Sequence, residues 1–257
     1  MNLKNFFTPK TNLISFCYRK YIAKKTILYF IPHQDDELLT MGIDICSSTK
    51  KGYNVHVILC TDGRKDITLS TLQNQQKCPF HDEPHIYKLT ENEFIQARDT
   101  EFINSCLLLG VPQQNIHIPS DRGIDASLEI ATAETIIQRY LHLYGKNSAV
   151  HTIHFNTGNM QHKDHKTLGQ AAYNLWQKGL IHKVKFFKEP YCNPDNGVNF
   201  ICRQASPEIA SHIYDAIRNY QYWAPAAGRY AVGYHSVTQL FDDLYREMKI
   251  YHCKMHK

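Results

Sequence analysis

The stretch T-I-L-Y-F-I-P-H-Q-D-D-E, residues 26–37, sets an apolar run directly against a histidine and a cluster of acids. The first six residues read as a β-strand, and the acidic tail then opens a helical pattern. Charged clusters of this kind often do no more than decorate the end of a strand. This one carries chemistry only if a second half of a site lies elsewhere in the chain.

Outward from this stretch, apolar runs and helical patterns alternate. A helix is expected over 36–51, stopped by Gly52, and a second strand over 54–61. Residues 63–91 are polar and without a clear period, which suggests a lid loop. Thr90 and Glu93 make a capping box for a helix over 90–110, stopped by Gly110. Then come a strand at 115–119, a helix at 127–144, a strand at 149–155 and a helix at 163–178. A strand at 183–187 and a helix near 207–220 complete the readable pattern, and beyond about 221 it fades. This order predicts an α/β fold, a single-domain Rossmann-like three-layer sandwich with a mostly parallel sheet. The domain would run over 26–257 behind an N-terminal arm at 1–25, with 190–257 its least defined part.

Composition agrees with one core. The chain has 257 residues, 43% hydrophobic, which suffices for one substantial domain. Its net charge of +5 comes from scattered Lys and Arg, not from a basic stripe, so no nucleic-acid partner is expected. The eight cysteines form no C-x-x-C pair, and Cys46, Cys60 and Cys106 sit inside apolar segments. A reduced, cytoplasmic protein is the simplest reading. Pro9, Lys10, Thr11 and Asn12 break any apolar targeting core in residues 1–25, and no segment is long enough for a membrane span.

In an open parallel sheet, ligands bind beyond the carboxyl ends of the strands. The segments expected there are P-H-Q-D-D-E (32–37), T-D-G-R-K-D (61–66), P-S-D-R-G-I-D (119–125) and N-T-G-N-M-Q-H-K-D-H (156–165). All are rich in ionisable groups. His162 and His165 lie three apart at the start of a helix, hence on one face. Alone the pair is a weak signal among fifteen histidines. Beside the first cluster it gains weight. A hydrolytic zinc site wants three protein ligands, a base that is not a ligand, and a donor for the developing oxyanion. The two clusters together contain such a set.

P-H-Q-D-D-E (32–37) followed by H-K-D-H (162–165) resembles the two hallmark motifs of the LmbE-like (PIG-L) zinc N-deacetylases, P-H-x-D-D-E and H-x-D-H. T-D-G (61–63), A-R-D-T-E (97–101) and L-G-V (109–111) resemble further parts of that pattern, over about residues 26–175. The resemblance implies one Zn²⁺ per chain held by His33, Asp36 and His165; other divalent transition metals would also fit. It implies Asp35 as the general base that takes a proton from the attacking water. His162 would stabilise the oxyanion or protonate the leaving amine, and Asp164 would orient an imidazole. Gln34 stands where many members have proline, and Lys163 occupies the variable position of the second motif.

Asp121 and Arg122 are candidates for contacts with sugar hydroxyls, and Arg64 is a weaker one. Glu37 is expected to bind backbone, and Arg98 with Glu101 to form a pair within one helix. The run H-D-E-P-H (81–85) resembles a metal motif, but Pro84 breaks the helix such a motif needs, so it is expected to belong to the lid. Trp223 is the first aromatic to consider for stacking on a sugar. The expected activity is hydrolysis of an N-acetyl group from a GlcNAc-type sugar conjugate, giving a free amine and acetate. Alternatives are deacylation of a non-sugar natural product, or a non-catalytic sugar-binding protein, which would need neither Asp35 nor His162. A magnesium phosphatase using Asp35 and Asp36 fits two ligating histidines less well. The expected partner is a small N-acetylated molecule, and a homo-oligomer is left open.

Overall fold

The structure, a computed structural model, describes residues 25–256 apart from 66, 76, 79, 82, 157–161 and 191–197. The expected N-terminal arm lies outside the described residues. Strand β1 (Thr26–Ile31) is followed by α1 (Asp36–Leu39), α2 (Gly42–Lys50), β2 (Asn54–Leu59), α3 (Thr68–Gln73) and α4 (Glu91–Leu108). Next come β3 (Ile116–His117), α5 (Ile130–Tyr144), β4 (Ala149–Ile153), α6 (Lys163–Gln177) and β5 (Lys183–Phe187). The C-terminal part adds β6 (Ile201–Gln204), α7 (Pro207–Gln221), the short pair β7 (Trp223–Ala224) and β8 (Arg229–Tyr230), α8 (Val232–Glu247) and β9 (Lys249–His256).

Alternate residues of β1 feed two separate cores. Ile27, Tyr29 and Ile31 pack against α1, α2, α4, α7 and α8, while Leu28 and Phe30 pack against α5 and α6. A strand covered on both faces needs apolar residues at every position, which is why its sequence shows no alternation. The seven-stranded sheet has the order β3-β2-β1-β4-β5-β9-β6. Its first five strands are parallel, and β9 pairs antiparallel with both β5 and β6. The expected layers, mostly parallel sheet and five expected strands (β1–β5) are therefore present.

Three features differ from expectation. The first helix is split, because Met41 (φ −123°, ψ −4°) breaks it between α1 and α2. The polar stretch before α4 contains α3 and, beyond it, a hairpin-like turn bridged at Lys77 and Pro84. The C-terminal part builds a sheet edge that its residues hide: β6 is mostly exposed, and β9 mixes Lys and His with apolar positions. Buried Asp44 ties this edge to α2 by accepting from Tyr29 Oη (2.7 Å) and Lys185 Nζ (2.8 Å) and pairing with Arg203. The capping box of Thr90 and Glu93 on α4 is present as expected.

Two contacts place the helices that carry the site. At Gly169, a Cβ would lie 2.5 Å from Ile153 O and 2.6 Å from Phe155 N, so α6 can seat against β4 only with glycine there. Gly169→Ala should cost about 1–3 kcal/mol by overpacking. Urea unfolding measures it, and an unchanged midpoint would show that the helix has room to shift. At the other end of the site, Glu101 of α4 accepts the N–H groups of Val232 (2.8 Å) and Gly233 (3.0 Å), the first turn of α8. Burial raises Glu101 to about 7 against the pull of those bonds. Between its ordinary value and 7, the folded chain holds a proton that the unfolded chain has released, so stability falls as pH rises through that window. Glu101→Gln should flatten this fall by roughly 3 kcal/mol, read as the difference between urea midpoints near pH 5 and pH 8. Parallel pH profiles for wild type and variant would contradict it.

Candidate active site

The strand order reverses direction between β1 and β4, since the chain builds outward from β1 to β2 and β3 on one side and to β4 and β5 on the other. At such a switch point the connections leave opposite ways and open a crevice beyond the carboxyl ends. The two motifs come directly after these two strands. His33, Asp35 and Asp36 belong to the β1–α1 connection, and His162, Asp164 and His165 to the start of α6.

The predicted ligands meet there. His33 Nδ1 and His165 Nε2 are 2.9 Å apart, His165 Nε2 and Asp36 Oδ2 2.9 Å, and His33 Nδ1 and Asp36 Oδ2 3.6 Å. All three residues are buried. The far nitrogen of each imidazole faces a carboxylate. His33 Nε2 lies 3.1 Å from both Asp164 Oδ2 and Asp125 Oδ1, and His165 Nδ1 lies 3.1 Å from Glu189 Oε2. Carboxylates behind ligating imidazoles fix the tautomer that aims a lone pair inward. Asp164 is itself held by the N–H groups of Ala126 (2.7 Å) and Leu128 (3.1 Å).

The charge balance suits a cation. Burial opposes ionisation of Asp36, yet His165 and His33 outweigh it and hold the carboxylate below its usual range. Burial likewise disfavours charge on His165, but Asp36 and Glu189 raise it to about 9. His33 is raised for the same reason by Asp125, Asp164 and Asp36, and it holds Asp125 down at about 2. A divalent ion at the meeting point of the three donor atoms would satisfy the same carboxylates in place of protons. The donor set of two imidazoles and a carboxylate is the kind that suits zinc.

Asp35 stands apart from the His33–Asp36–His165 triangle. Its backbone has φ 105°, ψ −30°, a strained conformation for a residue with a side chain. As N-cap of α1 it makes no side-chain capping bond, so its carboxylate is not consumed by the helix. The strain is braced from below. Glu37, fully buried, accepts the Asp35 N–H (2.9 Å) and the Tyr220 hydroxyl (2.7 Å). Arg98 Nη2 lies 3.6 Å from Asp35 Oδ2, and the same guanidinium donates to Gly63 O (2.8 Å) and Gln34 O (3.0 Å). Arg98 thus serves the site, a role that its place in the sequence does not disclose. Gly63 has φ 69°, and a Cβ on it would run into Gln34 Oε1 and come within 2.9 Å of Arg98, which explains the T-D-G turn. Gln34 donates to Asp99 Oδ1 (2.7 Å), a contact proline could not make.

His162 is solvent-exposed at the N-terminus of α6, where its Nδ1 accepts the Asp164 N–H (3.3 Å). Its ring lies 4.6 Å from that of His33, and its donor atom is near enough to join a His33–His162–His165 grouping. The cluster opens into a cavity of about 280 Å³, bounded further by Lys65, Ile67, Leu39, Pro190, Ser236, Val237 and Leu240. The C-terminal part therefore supplies a wall of the cavity, at the point where α8 kinks at Val237. The three residues expected to touch substrate are placed elsewhere. Arg64 pairs with Asp62 and Glu91, Asp121 pairs with Arg139 at the surface, and Arg122 binds Asp99 through both Nη atoms (2.9 and 2.8 Å). Lys65 and Asp125, each in one of the same loops, reach the cavity in their stead.

Fold and site together define a Rossmann-like α/β protein with a buried cluster of imidazoles and carboxylates at its switch point. The chain belongs to the PIG-L family: the family model described as "PIG-L: GlcNAc-PI de-N-acetylase" matches residues 28–176, more than half of the sequence and both motifs. Curated proteins give no significant match. Among solved structures, the chain is similar to the zinc-inhibited form of teicoplanin deacetylase Orf2, at 14% identity and TM-score 0.60, covering 91% of this chain and 99% of that one. It is similar to N,N'-diacetylchitobiose deacetylase from Pyrococcus horikoshii, at 15% identity and TM-score 0.56, covering 91% and 85%. It also resembles GalB, the 4-carboxy-2-hydroxymuconate hydratase from Pseudomonas putida KT2440, at 15% identity and TM-score 0.55, covering 90% and 95%. A hydratase among these neighbours shows that the fold alone does not dictate the reaction.

Asp125 is the most informative residue to change. Asp125→Asn should weaken the hold on His33 and lower metal affinity by about 10–100-fold. Competition with a chromophoric chelator measures this, and an affinity within twofold of wild type would remove Asp125 from the site.

Proposed function

We propose that the protein is a zinc-dependent amide hydrolase that removes an N-acetyl group from a GlcNAc-type sugar conjugate, releasing acetate and a free amine. The observation that carries this reading is the convergence of His33 Nδ1, Asp36 Oδ2 and His165 Nε2, within 3.6 Å of one another, beside a buried carboxylate that is not part of the triangle. His33, Asp36 and His165 would hold the ion. Zinc, when bound, lowers the pKa of a water and polarises a carbonyl. Asp35, fixed by its own backbone and by Glu37, accepts the proton of the attacking water. His162 lines the cavity, and with Nδ1 accepting from the α6 backbone its Nε2 is the donor nitrogen. From there it donates a hydrogen bond to the oxyanion or a proton to the leaving amine. Asp164 and Asp125 keep His33 in the correct tautomer. Lys65 is the cation placed to meet a polar group of the substrate, in place of Arg64, Asp121 and Arg122.

The conjugate is favoured over a free sugar by the shape of the cavity. Leu39, Ile67, Pro190, Val237 and Leu240 give it an apolar wall, which also suits the acyl group of a non-sugar natural product. Among the described residues no helix is long and apolar enough to cross a membrane. A cytoplasmic setting is part of the same reading, supported by the free thiols of Cys46, Cys60, Cys78, Cys106, Cys202 and Cys253.

The test couples metal content to turnover. Purified protein should release acetate from an N-acetylglucosamine conjugate, lose the activity in chelator and regain it with zinc. Asp35→Asn should lower the rate by about 10²–10⁴-fold while the catalytic zinc is retained. Protein that carries zinc yet is inert on a broad panel of acetamides would refute the deacetylase reading. An Asp35→Asn rate equal to wild type would remove Asp35 as the base. Faster release of longer acyl chains than of acetyl would shift the reading to the natural-product alternative.

A further inference from the structure

The run H-D-E-P-H, expected to be only part of a lid, is drawn into a second cluster of ligating atoms. The turn before α4 folds back on itself, with Gln75 N–H donating to His85 O (2.8 Å) and Cys78 N–H to Glu83 O (2.9 Å). This ladder brings Cys78, His81 and His85 to one side, where His235 from the first turn of α8 meets them. Cys78 Sγ and His235 Nε2 are 3.2 Å apart, and His81 Nε2 and His85 Nε2 are 2.9 Å apart. One ligand atom from each of the four residues lies within 4.8 Å of every other. Pro84 does prevent the helix that an H-E-x-x-H arrangement needs, but ligands on a turn require no helix.

Hydrogen bonds around the cluster orient two of its rings, so that the Nε2 lone pairs of His85 and His235 point inward. His85 Nδ1 faces Thr71 O (3.1 Å) and His235 Nδ1 faces Ala231 O (2.7 Å), and a carbonyl can only accept. Both rings must therefore carry a proton on Nδ1, which leaves Nε2, on the inner side, as the nitrogen able to ligate. Cys78 Sγ meanwhile accepts the Phe80 N–H (3.4 Å), which fixes the sulfur at the inner side of the turn. Backbone carbonyls behind metal-ligating imidazoles are the usual second layer of a metal site. Tetrahedral zinc with three nitrogens and one sulfur would set these atoms about 3.3–3.6 Å apart, from bonds of about 2.0–2.3 Å. Trp223 stacks on His81 with centroids 3.5 Å apart, which shields the cluster and takes this indole away from sugar stacking.

We propose that Cys78, His81, His85 and His235 form a second, structural zinc site that pins the turn before α4 to the first turn of α8. Four protein ligands leave no open position for water, so the site holds structure and does no chemistry. Its leverage on the catalytic cavity is short. His235 adjoins Ser236 and Val237 in the cavity wall, and a Cβ on Gly233 of the same turn would sit 3.6 Å from Asp35 Cβ. The expected zinc content rises from one ion per chain to two. The inference stands apart from the deacetylase reading, because it uses none of that site's ligands.

Full-length protein loaded with cobalt(II) provides the test, since only a thiolate ligand gives a near-ultraviolet sulfur-to-cobalt charge-transfer band. Wild type should show the band and bind two ions. Cys78→Ser should abolish the band and bind one ion, and His81→Ala, at a more exposed position, should weaken that site by about tenfold or more. Cys202→Ser, an exposed thiol outside the cluster, should keep the band. His165→Ala should keep it too, while losing the other ion, which separates failure of either site from failure of the other. A wild-type protein with no charge-transfer band, or a band that survives Cys78→Ser, would overturn the proposal.

Discussion

The hydrogen-bonded pairing of β1 with β4 is the constraint on which the site depends. The two strands run parallel in register, Tyr29 beside His151, so their carboxyl ends lie at the same edge of the sheet. The chain then departs in opposite directions, to α1 and α2 on one face and to α6 on the other. The segment leaving each strand must line the gap between them. Two motifs far apart in sequence become one cluster because the sheet brings their strand ends together, and the apolar residues of the paired strands also contribute to both cores.

Once assembled, the cluster is governed by charge. Four carboxylates, from Asp36, Asp125, Asp164 and Glu189, surround two buried imidazoles. Carboxylates buried this close need compensation, and protons on the imidazoles supply only part of what a divalent ion supplies. The supporting acids come from other strand ends: Asp125 from the loop after β3, Glu189 from just beyond β5. Each of these connections therefore contributes an anchoring group, and the charge balance of the cluster is a property of the whole sheet edge.

Much of this was legible in the sequence, and the exceptions have physical reasons. Apolar runs and capping signals disclosed the central strands and α4, since those features depend on local chemistry. The convergence of His33, Asp36 and His165 was readable because the two motifs resemble those of a known family. Asp125 and Glu189 were not singled out, because a lone acid in a loop gives no sign of which way it points. Arg64, Asp121 and Arg122 looked available, yet Glu91, Arg139 and Asp99 engage them in turn, and only tertiary contacts make those matches. The edge strands β6 and β9 escaped notice because exposed or half-polar strands lack the continuous apolar signature. Cys78, His81, His85 and His235 were hidden for a similar reason: a turn and a helix separated by the length of the domain have no shared period.

The positive φ of Asp35 has a consequence for how such a protein changes over generations. Besides aspartate, the residues that most readily accept this backbone geometry are asparagine and glycine. Both are one nucleotide substitution away from either aspartate codon. A lineage can therefore shed the carboxylate in a single step while its fold and the neighbouring imidazole and carboxylate cluster persist. The same strain that aims the side chain leaves open a short genetic route from hydrolase to silent binding protein.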